Sequence, residues 1–252
     1  MLNHNRTILV VDGLNCISSY FVEYLVSKYN RDRIVVLDNV RTDNLKSVSD
    51  KIAFEYLDVN DNKITKLFDT YKFDIVVSFI ESTKIKQLCS SFDIRYLLIL
   101  PWYKKLENVD TIIRMSHCYC ERNDSQCVLQ KMIADALMQN YIFVKNDGLI
   151  IRNWVNVIDC CRAIDSLLDF GKITQDYIIK SNFEISDRDV ARMILKKLEL
   201  PTSFVEYQDA IELQYDFTND CDNLVPQWQS KINFEDGLNS LIKWMKKQML
   251  LV

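Results

Sequence analysis

Strand-length apolar runs alternate with helix-spaced segments through the first hundred residues, and this alternation constrains the fold more than any other feature of the chain. TILVV (7–11) is a short apolar run; the segment 17–29 then places Ile17, Phe21, Tyr24, Leu25 and Tyr29 at helical spacing. RIVVLD (33–38), AFEYLD (53–58), FDIVVSFI (73–80) and RYLLIL (95–100) read as further strands, with NKITKLFDTY (62–71) as a helix among them. Strands that alternate with helices join by right-handed crossovers into a parallel sheet covered on both faces. Helices are expected near 125–141 and 157–170, and strands at GLIIRN (148–153) and DYIIKS (176–181). Ser186 N-caps a helix over 186–198 that ends before Pro201; a strand SFVEY (203–207) and an amphipathic helix over 234–249 follow. The fold class is α/β: a Rossmann-like doubly wound parallel sheet with a reduced C-terminal α/β appendage. The expected division is a Rossmann-like part over 1–153 and, over 154–252, a C-terminal part that adds helices to the core and a reduced substrate-type subdomain.

Hydrophobic residues make up 48% of the chain, enough to bury a sizeable core. A formal net charge of -4 gives no dense basic footprint for nucleic acid, so no such partner is expected. No apolar run reaches bilayer length, and MLNHNRTILVV lacks the apolar stretch of a signal peptide, so a cytoplasmic protein with no membrane partner is expected. Eight cysteines occur without a CxxC pair; the close groups are Cys118/Cys120 and Cys160/Cys161, beside only two histidines, His4 and His117. This set is too loose for zinc, so no metal is expected and the cysteines read as ordinary thiols. The chain has only 4 glycines, against roughly 18 at average usage. A dinucleotide-binding loop needs glycine where backbone meets phosphate, and this chain has few.

The ordered segments resemble a family. TILVVDGLNCISSYFVEYL is similar to the first strand, loop and helix of extended short-chain dehydrogenases, whose loop is written GxxGxxG. RIVVLDNVRTDNLKSV, AFEYLDVND and FDIVVSFIEST resemble the next three strands of the nucleotide-sugar (dTDP- or UDP-glucose) 4,6-dehydratases. RNWVNVIDCCRAID is similar to that family's RxWxxVxDxxRAI segment, DYIIKSNFEISDRDVARMIL to the opening of its C-terminal part, and FEDGLNSLIKWMKK to its final helix. The resemblance runs in order over nearly the whole chain and implies an NAD(P)-binding Rossmann fold. Function needs separate inspection, because fold does not carry it.

The resemblance places the three loop glycines on Asp12, Asn15 and Ser18, with Gly13 between them. Those glycines serve a tight turn, close approach to pyrophosphate and helix–strand packing. A carboxylate at Asp12, 4 to 8 Å from a phosphate charge, would cost roughly 2 to 4 kcal/mol at an effective dielectric near 20. That corresponds to about thirty- to a thousand-fold in affinity. Asp38 and Asp58 stand where the family holds the adenosine ribose and approaches adenine; the same residues at strand ends also serve as turn formers. The family's Tyr-x-x-x-Lys corresponds to Cys127 and Lys131 in CVLQKMIADALMQNY, four residues apart and so on one helix face. A thiol on one methylene falls short of a phenol hydroxyl, although a cysteine beside a lysine can also act as a low-pKa nucleophile.

The family's Ser/Thr-Asp-Glu segment after the fifth strand is replaced by PWYKKLENVD, with Pro101, Trp102 and Tyr103 in place and Glu107 and Asp110 further along. Arg152 matches either of two family arginines, and Leu213 and Gln214 stand where an arginine-bearing stretch clasps the diphosphate. Loop, base, acids and clamp depart together. The expectation is a pseudoenzyme with no catalytic residues and no cofactor, NAD(P) if any, that acts as a structural or partner-binding protein. Its alternatives are a residual NAD(P)-dependent nucleotide-sugar reductase, epimerase or dehydratase, and a nucleotide-sensing module. Self-association or a protein partner would use Met132, Ile133, Ala136, Leu137 and Tyr141, unless these face inward; TKIKQLCSSF reads as a shortened interface helix.

Overall fold

In the computed structural model the described residues are 5–29, 32–40, 45, 50–104, 111–122, 124, 126–170, 175–208 and 223–250. They form two compact units that interleave along the chain. One holds 1–115, 161–178 and 223–228; the other holds 116–160, 179–222 and 229–252.

The first unit carries β1 (Thr7–Val11), α1 (Cys16–Lys28), β2 (Arg33–Asp38), β3 (Ile52–Tyr56), α2 (Ile64–Tyr71), β4 (Ile75–Ser78), α3 (Thr83–Ser91), β5 (Arg95–Pro101) and β6 (Ile112–Met115). Its sheet has the order β10-β6-β5-β4-β1-β2-β3, where β10 is Tyr177–Ile179. The pairs β3–β2, β2–β1, β1–β4, β4–β5 and β5–β6 are all parallel. The Rossmann-like doubly wound sheet is therefore observed. The central strands β1, β2, β4 and β5 read as continuous apolar runs because both faces are covered, whereas the edge strand β3 leaves Phe54 and Tyr56 exposed. Leu9, Val11, Val35, Leu37, Val76, Leu98 and Leu100 meet Ile64, Leu67 and Phe68 of α2 and Ile85 of α3 on one face. The alternate residues Ile8, Val10, Ile34, Val36, Val77, Leu97 and Ile99 are equally buried.

The second unit contains β7 (His117–Tyr119), α4 (Val128–Leu137), β8 (Ile142–Lys145), β9 (Ile151–Asn156), β11 (Glu184–Ser186), α6 (Asp187–Lys197), β12 (Val205–Gln208) and α7 (Phe234–Met249). Helix α5 (Val157–Phe170) follows β9 directly. Strand β9 pairs parallel with β7 and antiparallel with β11, and β8 pairs parallel with β12. The core gathers Leu129, Met132, Ile133 and Ala136 of α4, Ile194 and Leu195 of α6, and Phe234, Leu238 and Leu241 of α7 around Trp154. Gly237 is required by contact: a Cβ there would lie 2.0 Å from the Tyr119 hydroxyl. Ser186 caps α6 as expected, its Oγ accepting from the Asp189 N–H at 3.1 Å.

Two connections differ from the sequence reading. The strand beside β5 is β6, separated from Pro101 by ten residues, and GLIIRN contributes to β9 in the separate three-stranded sheet. Helix α4 follows β6 and β7 and so is not the crossover that leads from β5 to its parallel neighbour. The packing set Met132, Ile133 and Ala136 faces inward, into the core of its own unit, and Tyr141 is exposed. Cys89, Cys118, Cys127, Cys160 and Cys161 are thiols, whereas Cys16 and Cys120 are half-cystines, which the reading of every cysteine as an ordinary thiol did not anticipate.

Candidate functional site

In an open parallel sheet, ligands bind beyond the carboxyl ends of the strands where the strand order reverses. Here that point lies between β1 and β4, so the loop from Asp12 to Asn15 and the end of β2 form the candidate site of the first unit.

The loop is closed by its own side chains. The Asp12 N–H donates to the Leu37 carbonyl at 2.9 Å, extending the β1–β2 pairing by one residue. Asp12 then takes a left-handed backbone, φ 57°, where the family's glycine would sit without cost. Its carboxylate accepts a hydrogen bond from Asn15 Nδ2 at 2.7 Å, and its carbonyl accepts one from Ser18 Oγ at 2.5 Å. Asn15 is the N-cap of α1: Oδ1 accepts from the Ile17 N–H at 3.0 Å and the Ser18 N–H at 2.8 Å. These are donors that a helix N-terminus would otherwise offer to an anion. Gly13 survives because β2 passes close by; a Cβ would lie 2.7 Å from Val36 Cγ1.

Asp38 is buried, 4% exposed, and ties the loop to β2. Oδ2 accepts from the Leu14 N–H at 2.9 Å and Oδ1 from the Val40 N–H at 3.0 Å. The carboxyl of Asp12 is raised above the ordinary range, first by burial and also by the charge of Asp38, with the Asn15 hydrogen bond opposing. A raised folded-state pKa means that ionised Asp12 costs stability at neutral pH. Asp58 is exposed, and the Asn60 N–H and Asn39 Nδ2 hold its carboxyl below the ordinary range. Asn39 thus joins Asp58 to the end of β2. The sequence reading missed Asn15 as the donor-consuming residue. Its position immediately before a helical run is an N-cap signal.

Cys127 and Lys131 belong to the second unit. Cys127 is the N-cap of α4, 7% exposed, with its thiol packed in that unit's core and pushed up to about 12 by burial. Lys131 is exposed and its N–H donates to the Cys127 carbonyl at 3.1 Å. Cys127 is buried while Lys131 is exposed, and burial works against a low-pKa thiolate at Cys127. Arg152 is buried in a forked ion pair with Asp187, Nε to Oδ1 at 2.7 Å and Nη2 to Oδ2 at 2.9 Å, with His117 Nε2 3.0 Å from Nη1. Glu107, Asp110, Leu213 and Gln214 lie outside the described residues. Among the described residues no three His, Cys, Asp or Glu side chains group as metal ligands, and no helix is long and apolar enough to cross a membrane.

No family model matches the chain. It is 26% identical over 161 residues to the dTDP-glucose 4,6-dehydratase of Haemophilus influenzae, covering 58% of this chain and 48% of that one, so it spans about half the length of that relative. With the human dTDP-D-glucose 4,6-dehydratase it is 20% identical over 316 aligned positions, covering 96% of this chain and 90% of the human one. Among solved structures, the dTDP-glucose 4,6-dehydratase of Bacillus anthracis in complex with NAD superposes with a TM-score of 0.83 at 20% identity, covering 96% of this chain and 97% of that one. The UDP-glucose 4-epimerase of Thermotoga maritima, with UDP-glucose, gives 0.75 at 13% identity, covering 96% and 99%. The chain is thus a homologue of the dTDP-glucose 4,6-dehydratases with the Rossmann-like fold of the NAD-dependent epimerases and dehydratases.

Proposed function

We propose that this homologue of the dTDP-glucose 4,6-dehydratases is non-catalytic and acts as a structural or partner-binding protein. The observation that carries the reading is the self-satisfied loop. Asn15 occupies the Ile17 and Ser18 N–H groups, Asp38 occupies that of Leu14, and the Asp12 carboxylate stands beside them. A pyrophosphate would have to displace these hydrogen bonds and approach two carboxylates, one of them half-buried. At an effective dielectric near 20 each such charge at 4 to 8 Å costs roughly 2 to 4 kcal/mol. If a dinucleotide binds at all, the relatives' chemistry makes it NAD(P).

The connection from β5 to β6 supports the same reading. Parallel neighbours need a crossover of about a dozen residues or more, usually a helix. Only ten residues separate Pro101 from Ile112. That length has no room for a multi-turn helix with Tyr-x-x-x-Lys on one face and a return to the sheet. Cys127 and Lys131 therefore match that motif by spacing alone, and Arg152, held by Asp187, is not a free diphosphate clamp.

The test is turnover. The purified chain incubated with NAD and dTDP-glucose, or with NAD and UDP-glucose, should give no 4-keto sugar above a protein-free control. Enzyme-dependent 4-keto product would overturn the proposal.

A further inference from the structure

Two sequence-adjacent cysteine groups, Cys118/Cys120 and Cys160/Cys161, lie far apart along the chain, and the fold of the second unit brings one member of each together. Cys118 sits on β7 in register with Val155 of β9. One residue past Val155 the strand ends at Asn156, and α5 begins at Val157, so Cys160 lies in the first turn of that helix. The corner between β9 and α5 turns the Cys160 thiol back over β7. The Cys160 S–H meets Cys118 Sγ at 3.5 Å. Both residues are thiols, Cys118 half-buried and Cys160 fully buried.

We propose that Cys118 and Cys160 form a peroxide-sensitive dithiol that closes to an intramolecular disulfide. The two residues divide the work by exposure. Cys118 is the more exposed of the two sulfurs and the one a small oxidant reaches, which makes it the attacking thiol, with Cys160 poised behind it to resolve. Its thiolate attacks hydrogen peroxide: a sulfur–oxygen bond forms, the peroxide bond breaks, and hydroxide leaves, taking up a proton as water. The product is a sulfenic acid at Cys118. Cys160 then attacks that sulfur, the sulfur–sulfur bond forms, and the sulfenic oxygen departs as water with the Cys160 proton. Two thiols are oxidised and one peroxide is reduced to two waters. The sulfurs must approach by about 1.5 Å to reach bonding distance, a side-chain rotation at a strand and a helix turn that are already neighbours. Cys127 is excluded as the partner, because it caps α4 from inside the core of the unit.

The experiment uses the whole chain, reduced, freed of reductant, exposed to hydrogen peroxide, alkylated under denaturing conditions and digested. Mass spectrometry should find the Cys118 and Cys160 peptides joined and lighter by two hydrogen atoms than the reduced pair. Cys118→Ser should abolish that species and Cys127→Ser should leave it. Cys160→Ala gives a second readout: Cys118 should persist as a sulfenic acid trapped by dimedone, which wild type resolves. The proposal is overturned if wild-type Cys118 is recovered as sulfinic or sulfonic acid with Cys160 alkylated. It is equally overturned if the main product joins Cys118 to Cys127 or to Cys120.

Discussion

Replacing Asn15 by Ala tests the closed loop through stability, independently of any ligand. The side chain makes three hydrogen bonds: to the Ile17 and Ser18 N–H groups through Oδ1, and to the Asp12 carboxylate through Nδ2. Loss of an N-cap oxygen costs typically about 1 kcal/mol and up to about 2. Asp12 is half-buried and already raised by burial and by Asp38, so loss of its donor adds about 1 kcal/mol after discounting for its solvent access. The sum is about 2 to 3 kcal/mol. For a chain of this length each kcal/mol moves the melting temperature by about 2 to 4 °C, so Asn15→Ala should melt about 5 to 10 °C below wild type. Asn15→Ser keeps a capping oxygen and removes the donor to Asp12, and should recover about half of the loss. Circular dichroism melts at pH 7.5 give both values. An Asn15→Ala melting point within about 1 °C of wild type would refute the reasoning, since the cap would then hold nothing.

Two further outcomes follow from buried groups. Arg152→Ala leaves Asp187 buried without its forked partner and should cost about 3 to 5 kcal/mol in urea denaturation, whereas an exposed ion pair would cost under about 1; a loss of that smaller size would show that Arg152 is available for other work. The Cys127 and Cys89 thiols and the Tyr119 hydroxyl are each pushed up to about 12, by burial above all. Folded-state values above the unfolded ones mean stability that is constant below about pH 8 and lost as pH rises through the range from 9 to 12. The urea midpoint should therefore fall between pH 8 and pH 10.5, and less steeply in Cys127→Ala; a midpoint independent of pH would contradict the burial.

Most of the parallel sheet was legible because β1, β2, β4 and β5 are continuous apolar runs and the helices between them are periodic. Thr7–Val11, Arg33–Asp38 and Phe234–Met249 fall where the pattern places them. Strand β6 escaped notice because Arg114 interrupts its four residues. That guanidinium is buried and paired with Asp176 at 2.8 Å, a partner 62 residues away that no local pattern reveals. Missing β6 left the strand next to β5 unassigned, while the later helices α5, α6 and α7 still fall where the pattern places them. The periodicity of α4 identifies a helix but not the strands it joins, and in the fold it follows β7 rather than β5. Strand β10 lies within the expected strand at 176–181, whereas β7 and β11 have three residues each, too few to show a period of two. At the loop, the unfavourable residue was visible as Asp12, while its accommodation was not. The left-handed turn at Asp12 and the Asp38 brace depend on the neighbouring strand β2, whereas the Asn15 cap is a local contact that its position before the helix signals.

The central claim rests on that loop, and calorimetric titration of the reduced, purified chain with NAD(H) tests it most directly. The account predicts no saturable heat at low micromolar cofactor, with Asp12→Gly regaining part of the affinity because it removes a carboxylate and relaxes the turn at φ 57°. Stoichiometric binding of NAD(H) by the wild-type chain at low micromolar concentration would contradict it.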